Sequence, residues 1–154
     1  MKPRKILILT FSLFLLLNFG CDKKDDSNTY PIDISFTEIR KGDVFTANYN
    51  PTQHGEIFTN QNDWDYFVDS IWQIDPIPSE ANVNFSKNIV IAVFDKPRTT
   101  GGYDIEIKSI VENEQNVVVN FQTGAGDVTQ MPTRSYHIVK IPKTTKPITF
   151  ENVE

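Results

Sequence analysis

The polarity of the chain changes sharply within its first 28 residues. Cations at positions 2, 4 and 5 precede a mostly apolar stretch over residues 6–17, and a glycine then stands before Cys21. A basic start, a short apolar stretch and a small residue before the cleavage point are typical of a secretory signal. The apolar stretch is too short for a membrane span, which needs about 20 apolar residues. The pattern therefore predicts a signal peptide over residues 1–20.

Cys21 is the only cysteine of the chain, and its position after the signal predicts a specific chemistry. Gly20-Cys21 matches the end of a lipoprotein signal, although Asn18 stands where such signals usually carry leucine. We expect the thiol to be thioether-linked to a diacylglycerol and the new amino terminus to carry a fatty acyl chain such as palmitate. Several chains on one residue make a durable membrane anchor. The polar residues that follow predict a flexible tether over residues 21–30.

The tether also carries a short addressing pattern. Lys24-Asp25-Asp26 resembles the lysine and acidic-pair export signal of Bacteroidota lipoproteins. That resemblance implies a bacterial cell-envelope protein held at the outer membrane and exposed on its surface. A plain solvated linker explains the same three residues equally well, so both interpretations stay open.

One segment has the periodicity of an amphipathic helix. Apolar side chains recur every three or four positions between residues 64 and 72, which places them on one helical face. Asn60 can cap this helix by accepting a backbone N–H of the first turn, and Pro76 and Pro78 end it. Such a stripe packs a helix on a sheet more commonly than it cradles a ligand. The stripe consists of Trp64, Phe67, Val68, Ile71 and Trp72.

The rest of the chain has the patterns of β-strands. Residues 87–94 are apolar on both faces, as expected of a central strand, whereas most other segments alternate between apolar and polar positions. Gly42 and Asp43 indicate a turn. We therefore predict a single α+β domain over residues 31–154, an antiparallel β-meander sheet packed with one amphipathic helix. The further predicted strands are 32–40, 103–111, 117–122, 136–141 and, at an edge, 147–153.

The net charge and the residue types of the chain exclude several classes of function. The net charge is −5, and removal of the signal makes the protein more acidic, which argues against nucleic acid as a partner. His54 and His137 are far apart, and the chain has neither a Gly-x-Ser-x-Gly motif nor a zinc-ligand spacing. Asp65 and Asp69 share a helical face, where such pairs are usually solvated. We expect a non-catalytic protein without metal or cofactor.

Three stretches resemble the C-terminal domain of PrcB-type protease-complex subunits. They are the apolar strand at residues 88–94, the Thr-Gly-Gly-Tyr turn with its following strand at 100–105, and Tyr-His-Ile-Val-Lys-Ile-Pro at 136–142. The resemblance covers roughly residues 55–145. It implies a secreted, non-catalytic domain that docks to or stabilises a surface protease, and it implies no active site.

The candidate partner-binding residues lie in two loops. In a meander, alternate connections lie at the same end of the sheet, so the 95–102 and 123–135 loops should be neighbours. Loops on a rigid sheet commonly carry binding residues. An ordinary hairpin turn and a mobile loop are the alternative interpretations. The candidate residues are Thr99, Thr100, Gly101, Gly102, Tyr103, Met131 and Arg134.

Two other functions fit the same sequence. The 97–103 segment is similar to the Asn-Pro-Thr-Thr-Gly-Tyr loop of chagasin-like cysteine protease inhibitors, although Lys96 precedes the proline here and a second glycine is inserted. Alternatively, the protein is a structural lipoprotein that binds envelope glycan or another lipoprotein. Our first hypothesis is a lipid-anchored subunit that docks to a protein partner, such as a secreted protease.

Overall fold

The computed structural model describes residues 29–44, 52–71, 78–126 and 132–153. The predicted signal peptide, Cys21 and the tether up to residue 28 lie outside these residues, as do Trp72, Pro76 and Met131. The described elements are β1 (Ile32–Asp33), β2 (Thr37–Val44), β3 (His54–Phe58), α1 (Gln61–Ile71), a 3-10 turn (Ser79–Ala81), β4 (Asn88–Phe94), β5 (Ile105–Glu112), β6 (Val117–Thr123), β7 (Arg134–Pro142) and β8 (Ile148–Asn152).

The strands form two sheets, and not the single meander that the sequence predicts. The helix-side sheet has the order β2-β7-β4-β3 and is antiparallel throughout. The outer sheet has the order β1-β5-β6-β8, in which β8 runs parallel to β6. Gly42 and Asp43 do not form a turn, because they lie inside β2 opposite Tyr136 and Ser135. The α+β composition agrees with the prediction, whereas the arrangement of the strands corrects it.

Strand β4 is the centre of the molecule because both of its faces are buried. Val90, Ala92 and Phe94 face α1, and Ile89, Ile91 and Val93 face the outer sheet. The helix, the helix-side sheet and the outer sheet therefore form three layers with a hydrophobic core on either side of β4. The continuous apolar pattern of residues 88–94 arises from this position between two layers.

Helix α1 begins and packs as its sequence predicts. The side-chain oxygen of Asn60 accepts the Asp63 backbone N–H at 3.0 Å, which satisfies one of the free donors of the first turn. Trp64, Phe67 and Val68 are buried against the sheet, and the indole N–H of Trp64 donates to the Ala81 carbonyl at 2.9 Å. Among the described residues, no helix has the length and apolarity of a membrane span.

Candidate protein-docking loops

Two connections between the sheets are bonded to each other at one end of the sandwich. Residues 95–104 lead from β4 to β5, and residues 124–133 lead from β6 back to β7; we call them the paired loops. Arg98 and Thr133 exchange backbone hydrogen bonds of 2.8 and 3.2 Å, and the Gly124 N–H donates to the Asp104 carbonyl at 2.9 Å. The loops are therefore neighbours, as expected, but because both cross between the two sheets.

A buried ion pair holds the base of the first loop. The carboxylate of Asp95 is fully buried and accepts two bonds from the Arg98 guanidinium, at 2.6 Å from Nε and 3.1 Å from Nη2. The Gln53 amide donates to the same carboxylate at 3.2 Å. The hydrogen bond from Arg98 to Asp95 raises the pKa of Arg98 above its ordinary value. This two-pronged geometry fixes the turn that presents residues 99–102.

Tyr103 connects the two loops. The Arg98 guanidinium carbon lies 4.3 Å from the centroid of its ring, a cation–π contact. The backbone of Gly126 also lies against this ring, so closely that a Cβ at position 126 would overlap the ring carbons. Gly124 is packed in the same way against the Asp104 carboxylate. The lack of a side chain at Gly124 and Gly126 therefore allows the second loop to pack closely against the first.

A small cavity lies beside the paired loops. Its volume is about 120 Å³, and its walls include Asp43, Tyr103, Asp104 and Ser135. The hydroxyl oxygen of Ser135 is 2.6 Å from both the Asp43 carboxylate and the Tyr103 carbonyl. Pockets for drug-sized ligands are larger, about 300–1,000 Å³. The cavity has room for the end of a side chain and not for a substrate of that size.

The comparison with known protein families gives one match. Residues 89–142 match the family model described as PrcB C-terminal. The stretch from residue 89 to residue 142 is therefore similar to a PrcB-type C-terminal domain. The match extends from β4 to the end of β7 and includes both paired loops, whereas α1 lies outside it. No curated protein and no solved structure matches the chain.

The domain exposes only some of the predicted partner-binding residues. Thr99 and Gly102 are exposed, Thr100 and Tyr103 are half-buried, and Gly101 is buried. Gly102 has a φ of 76°, a left-handed conformation that favours glycine. Among the predicted positions that the structure describes, Thr99 and Gly102 therefore present most surface to a partner. Met131 lies outside the described residues.

Arg134 is placed differently from its prediction. Arg134 is only 2% exposed and is the first residue of β7, so it does not present a surface to a partner as predicted. Its Nε donates to the Asp95 carbonyl at 2.8 Å, and one Nη donates to the Thr52 carbonyl at 3.1 Å. The guanidinium also lies 5.3 Å from the centre of the Phe94 ring. Arg134 braces the base of the loops from inside the domain.

The two histidines have separate surroundings. His54 stacks on Phe94 with 5.1 Å between ring centroids, and its Nε2 lies 3.1 Å from the Glu56 carboxylate. His137 is buried between the sheets. Within the part of the chain that the structure describes, no three histidine, cysteine, aspartate or glutamate residues group as metal ligands.

The sequence prediction missed Asp95, which organises the first loop. One signal was available, because Asp95 is a charged residue directly after a strand that is apolar on both faces. A charge at the end of such a strand remains near the core and needs a partner. The partner Arg98 is only three residues away, yet nothing in the sequence indicates that the chain turns back between them.

Proposed function

We propose that this PrcB-type domain is a non-catalytic subunit that docks to a protein partner in a protease complex through its paired loops. The family match supports the association with a protease. The matched stretch includes both paired loops, which supports these loops as the docking site. We further propose that a lipid on Cys21 anchors the protein to the bacterial outer membrane, with the domain exposed at the cell surface. The N-terminal sequence supports this second part.

The observation that carries the proposal is the internal bracing of the paired loops. The buried Asp95 carboxylate shapes the first loop, and the Tyr103 ring and the Arg98–Thr133 backbone bonds join it to the described ends of the second, at Gly126 and Thr133. Loops that are fixed before binding lose less conformational entropy when a partner docks. Exposed loop residues held on a two-sheet scaffold, such as Thr99 and Gly102, are suited to protein recognition.

The contacts of the ionisable groups near the loops favour a binding function over a catalytic one. Asp95 is bonded to Arg98 and Gln53, and Arg134 is bonded to backbone carbonyls. These contacts are internal and stabilise the shape of the loops. The small neighbouring cavity would receive one partner side chain, consistent with docking.

The docking surface can be tested with two matched threonines at opposite ends of the sandwich. Thr99 follows β4 in the first loop, whereas Thr145 follows β7 at the other end, and both are exposed. We expect Thr99→Arg to reduce partner recovery after crosslinking and pull-down from intact cells, because the larger charged side chain obstructs the loop surface. Thr145→Arg should leave recovery unchanged.

Stability measurements separate docking from folding. Surface substitutions of this kind usually change the free energy of unfolding by no more than about 0.5 kcal/mol, so both variants should melt as the wild type does. Equal recovery with Thr99→Arg and wild type would refute docking through the paired loops. Inhibition of a purified cysteine protease by the wild type alone, relieved by Thr99→Arg, would instead favour the inhibitor function.

The anchor has its own test. Mass spectrometry of the N-terminal peptide should find a diacylglyceryl group and an acyl chain on Cys21, and Cys21→Ala should move the protein from the membrane fraction to the soluble fraction. Recovery of wild-type protein in the soluble fraction with a free thiol at position 21 would overturn the anchor and leave the docking proposal intact.

A further inference from the structure

His137 connects the two sheets through a single buried hydrogen bond. It lies in β7 of the helix-side sheet, and its Nδ1 accepts the backbone N–H of Ile107 in β5 of the outer sheet at 2.8 Å. Its other ring nitrogen, Nε2, lies 3.0 Å from the Glu38 carboxylate of β2. The imidazole of this β7 residue therefore contacts two other strands, β5 and β2.

These two contacts select one protonation state. A backbone N–H can only donate, so the Nδ1 that faces Ile107 must carry a lone pair and no proton. The remaining proton of the neutral ring then lies on Nε2 and is donated to Glu38. Protonation of His137 would place a second N–H opposite the Ile107 N–H, and that buried backbone donor would lose its acceptor.

Within the outer sheet, Ile107 lies opposite Phe121 of β6. Strand β1 pairs only with Val111 and Glu112 at the far end of β5, so Ile107 has no β1 partner. The register of β5 against β6 also shifts between Ile107 and Ser109, which marks a β-bulge. In the described part of the chain, the acceptor found for the Ile107 N–H is the His137 side chain of the other sheet.

The charged groups around His137 come from two strands. Burial lowers its pKa below the ordinary 6.5, the charge and hydrogen bond of Glu38 raise it, Lys41 lowers it and Glu106 raises it, with a net lowering. Because the unfolded chain then takes up the proton first, the folded state loses stability as the pH falls below about 6.5. The neutral ring is the form that fits the fold.

We propose that His137 is a pH-sensitive latch between the two sheets. Its protonation releases the first residues of β5, which follow the first loop, and so loosens the paired loops. Ile107 is only four positions after Tyr103, the residue that connects the two loops. A weaker attachment of β5 at Ile107 would therefore allow motion of the loop that precedes it. The loop's role in docking rests on the proposed function, whereas the latch itself does not.

A second contact between β2 and β5 remains when the latch opens. Lys41 binds the carboxylate of Asp104 at 2.9 Å and lies 3.6 Å from that of Glu106. Burial lowers the pKa of Lys41, but its bonds and charge interactions with Asp104 and Glu106 outweigh that effect and raise it. Lys41 stays charged across the range in which His137 titrates, so acid should loosen β5 locally without separating the sheets.

NMR of the isotope-labelled full chain in detergent micelles tests the latch without a partner. Near neutral pH we expect the Nε2–H tautomer of His137 and a protected Ile107 amide. As the ring titrates below about pH 6.5, the exchange protection of Ile107, corrected for the intrinsic exchange rate, should fall about tenfold. The amide signals of Thr99 and Gly102 should shift with the same midpoint.

Two variants provide the controls. His137→Asn keeps a carbonyl oxygen near the Nδ1 position and does not titrate, so Ile107 should stay protected as the pH falls. His137→Phe has no acceptor, and its Ile107 amide should be unprotected at every pH. An Nδ1–H tautomer at neutral pH, or equal pH profiles for the wild type and His137→Asn, would refute the latch.

Partner recovery at pH 7.5 and pH 5.5 keeps the latch and the docking function separate. Recovery that falls with pH in the wild type and not in His137→Asn supports control of docking by His137. An acid-sensitive Ile107 amide with unchanged recovery would confine the latch to the fold and contradict its control of docking.

Discussion

The two hydrophobic layers on either side of β4 are built from different side chains. The layer between α1 and the helix-side sheet contains the rings of Trp64, Phe67, Phe58, Phe94 and Tyr136. The layer between the two sheets consists mainly of isoleucine and valine, with Phe121 as a buried phenyl ring. Sheets packed face to face leave a regular gap of about 10 Å that β-branched side chains fill. A short helix on a sheet leaves an irregular gap, which large rings fill here.

The two layers also differ in how their strands and helix are connected to the paired loops. Strands β5 and β6 belong to the inter-sheet layer, and the first loop ends where β5 begins, at Ile105. Helix α1 is joined to the rest by ring contacts and by the Trp64 bond to Ala81. We therefore expect changes to the rings that α1 contributes, such as Trp64, to affect stability and to leave docking unchanged in the protein that remains folded.

The largest effect should come from Trp64. Its ring centroid lies 5.4 Å from that of Phe58 and 5.5 Å from that of Phe67, and the residue is almost completely buried. Trp64→Ala should lower the free energy of unfolding by about 3–5 kcal/mol, because it leaves a large cavity. Denaturant unfolding followed by circular dichroism measures this change.

Trp64→Phe is the control for that substitution. It keeps a ring in the cavity but leaves the Ala81 carbonyl without the indole donor, so its cost should be smaller than that of alanine. Equal costs for Trp64→Phe and Trp64→Ala would mean that the hydrogen bond, and not ring packing, holds α1 on the sheet.

An intermediate effect is expected where the two sheets meet at their edges. A Cβ on Gly55 of β3 would overlap the ring of Phe150 in β8, so these edge strands are in direct contact. Gly55→Val should destabilise the domain by about 1–3 kcal/mol, since the ring must move out of the way. Thermal unfolding of the variant gives the size of the loss.

A double-mutant cycle tests the assigned contact. Phe150→Ala removes the ring, so Gly55→Val should cost much less in that background than in the wild type. Strictly additive effects of the two substitutions would show that the valine at position 55 is resisted by something other than Phe150.

Local patterns in the sequence predict elements well and their pairing poorly. The cap at Asn60, the two-sided burial of 88–94 and the edge position of 148–152 follow from neighbouring residues, and the structure confirms them. Alternation shows that a strand has a buried face but not which strand lies beside it. For that reason the sequence pattern predicts β5 beside β4, whereas β5 pairs with β6 and β1 in the other sheet.

The contacts around the paired loops show the same limit at the level of side chains. The sequence predicts Arg134 as a partner-binding residue because it lies in the 123–135 stretch, and only the fold provides the carbonyls of Asp95 and Thr52 to which it donates. The contact between His137 and Ile107 joins residues 30 positions apart in different sheets. Sequence spacing could not reveal either contact, because both depend on how the sheets are stacked.

The smallest predicted effect compares the two layers within one strand. Ile138 and Ile141 are both fully buried in β7, but Ile138 faces the aromatic layer and Ile141 faces the inter-sheet layer. Each substitution to valine removes one methylene and should cost about 0.5–1.5 kcal/mol. We expect Ile138→Val to be the costlier of the two, since flat, rigid rings fill a small gap less readily than neighbouring isoleucine and valine side chains. Chemical denaturation of both variants under the same conditions decides the order, and a larger loss at Ile141 would show that the aromatic layer relaxes more easily than the aliphatic one.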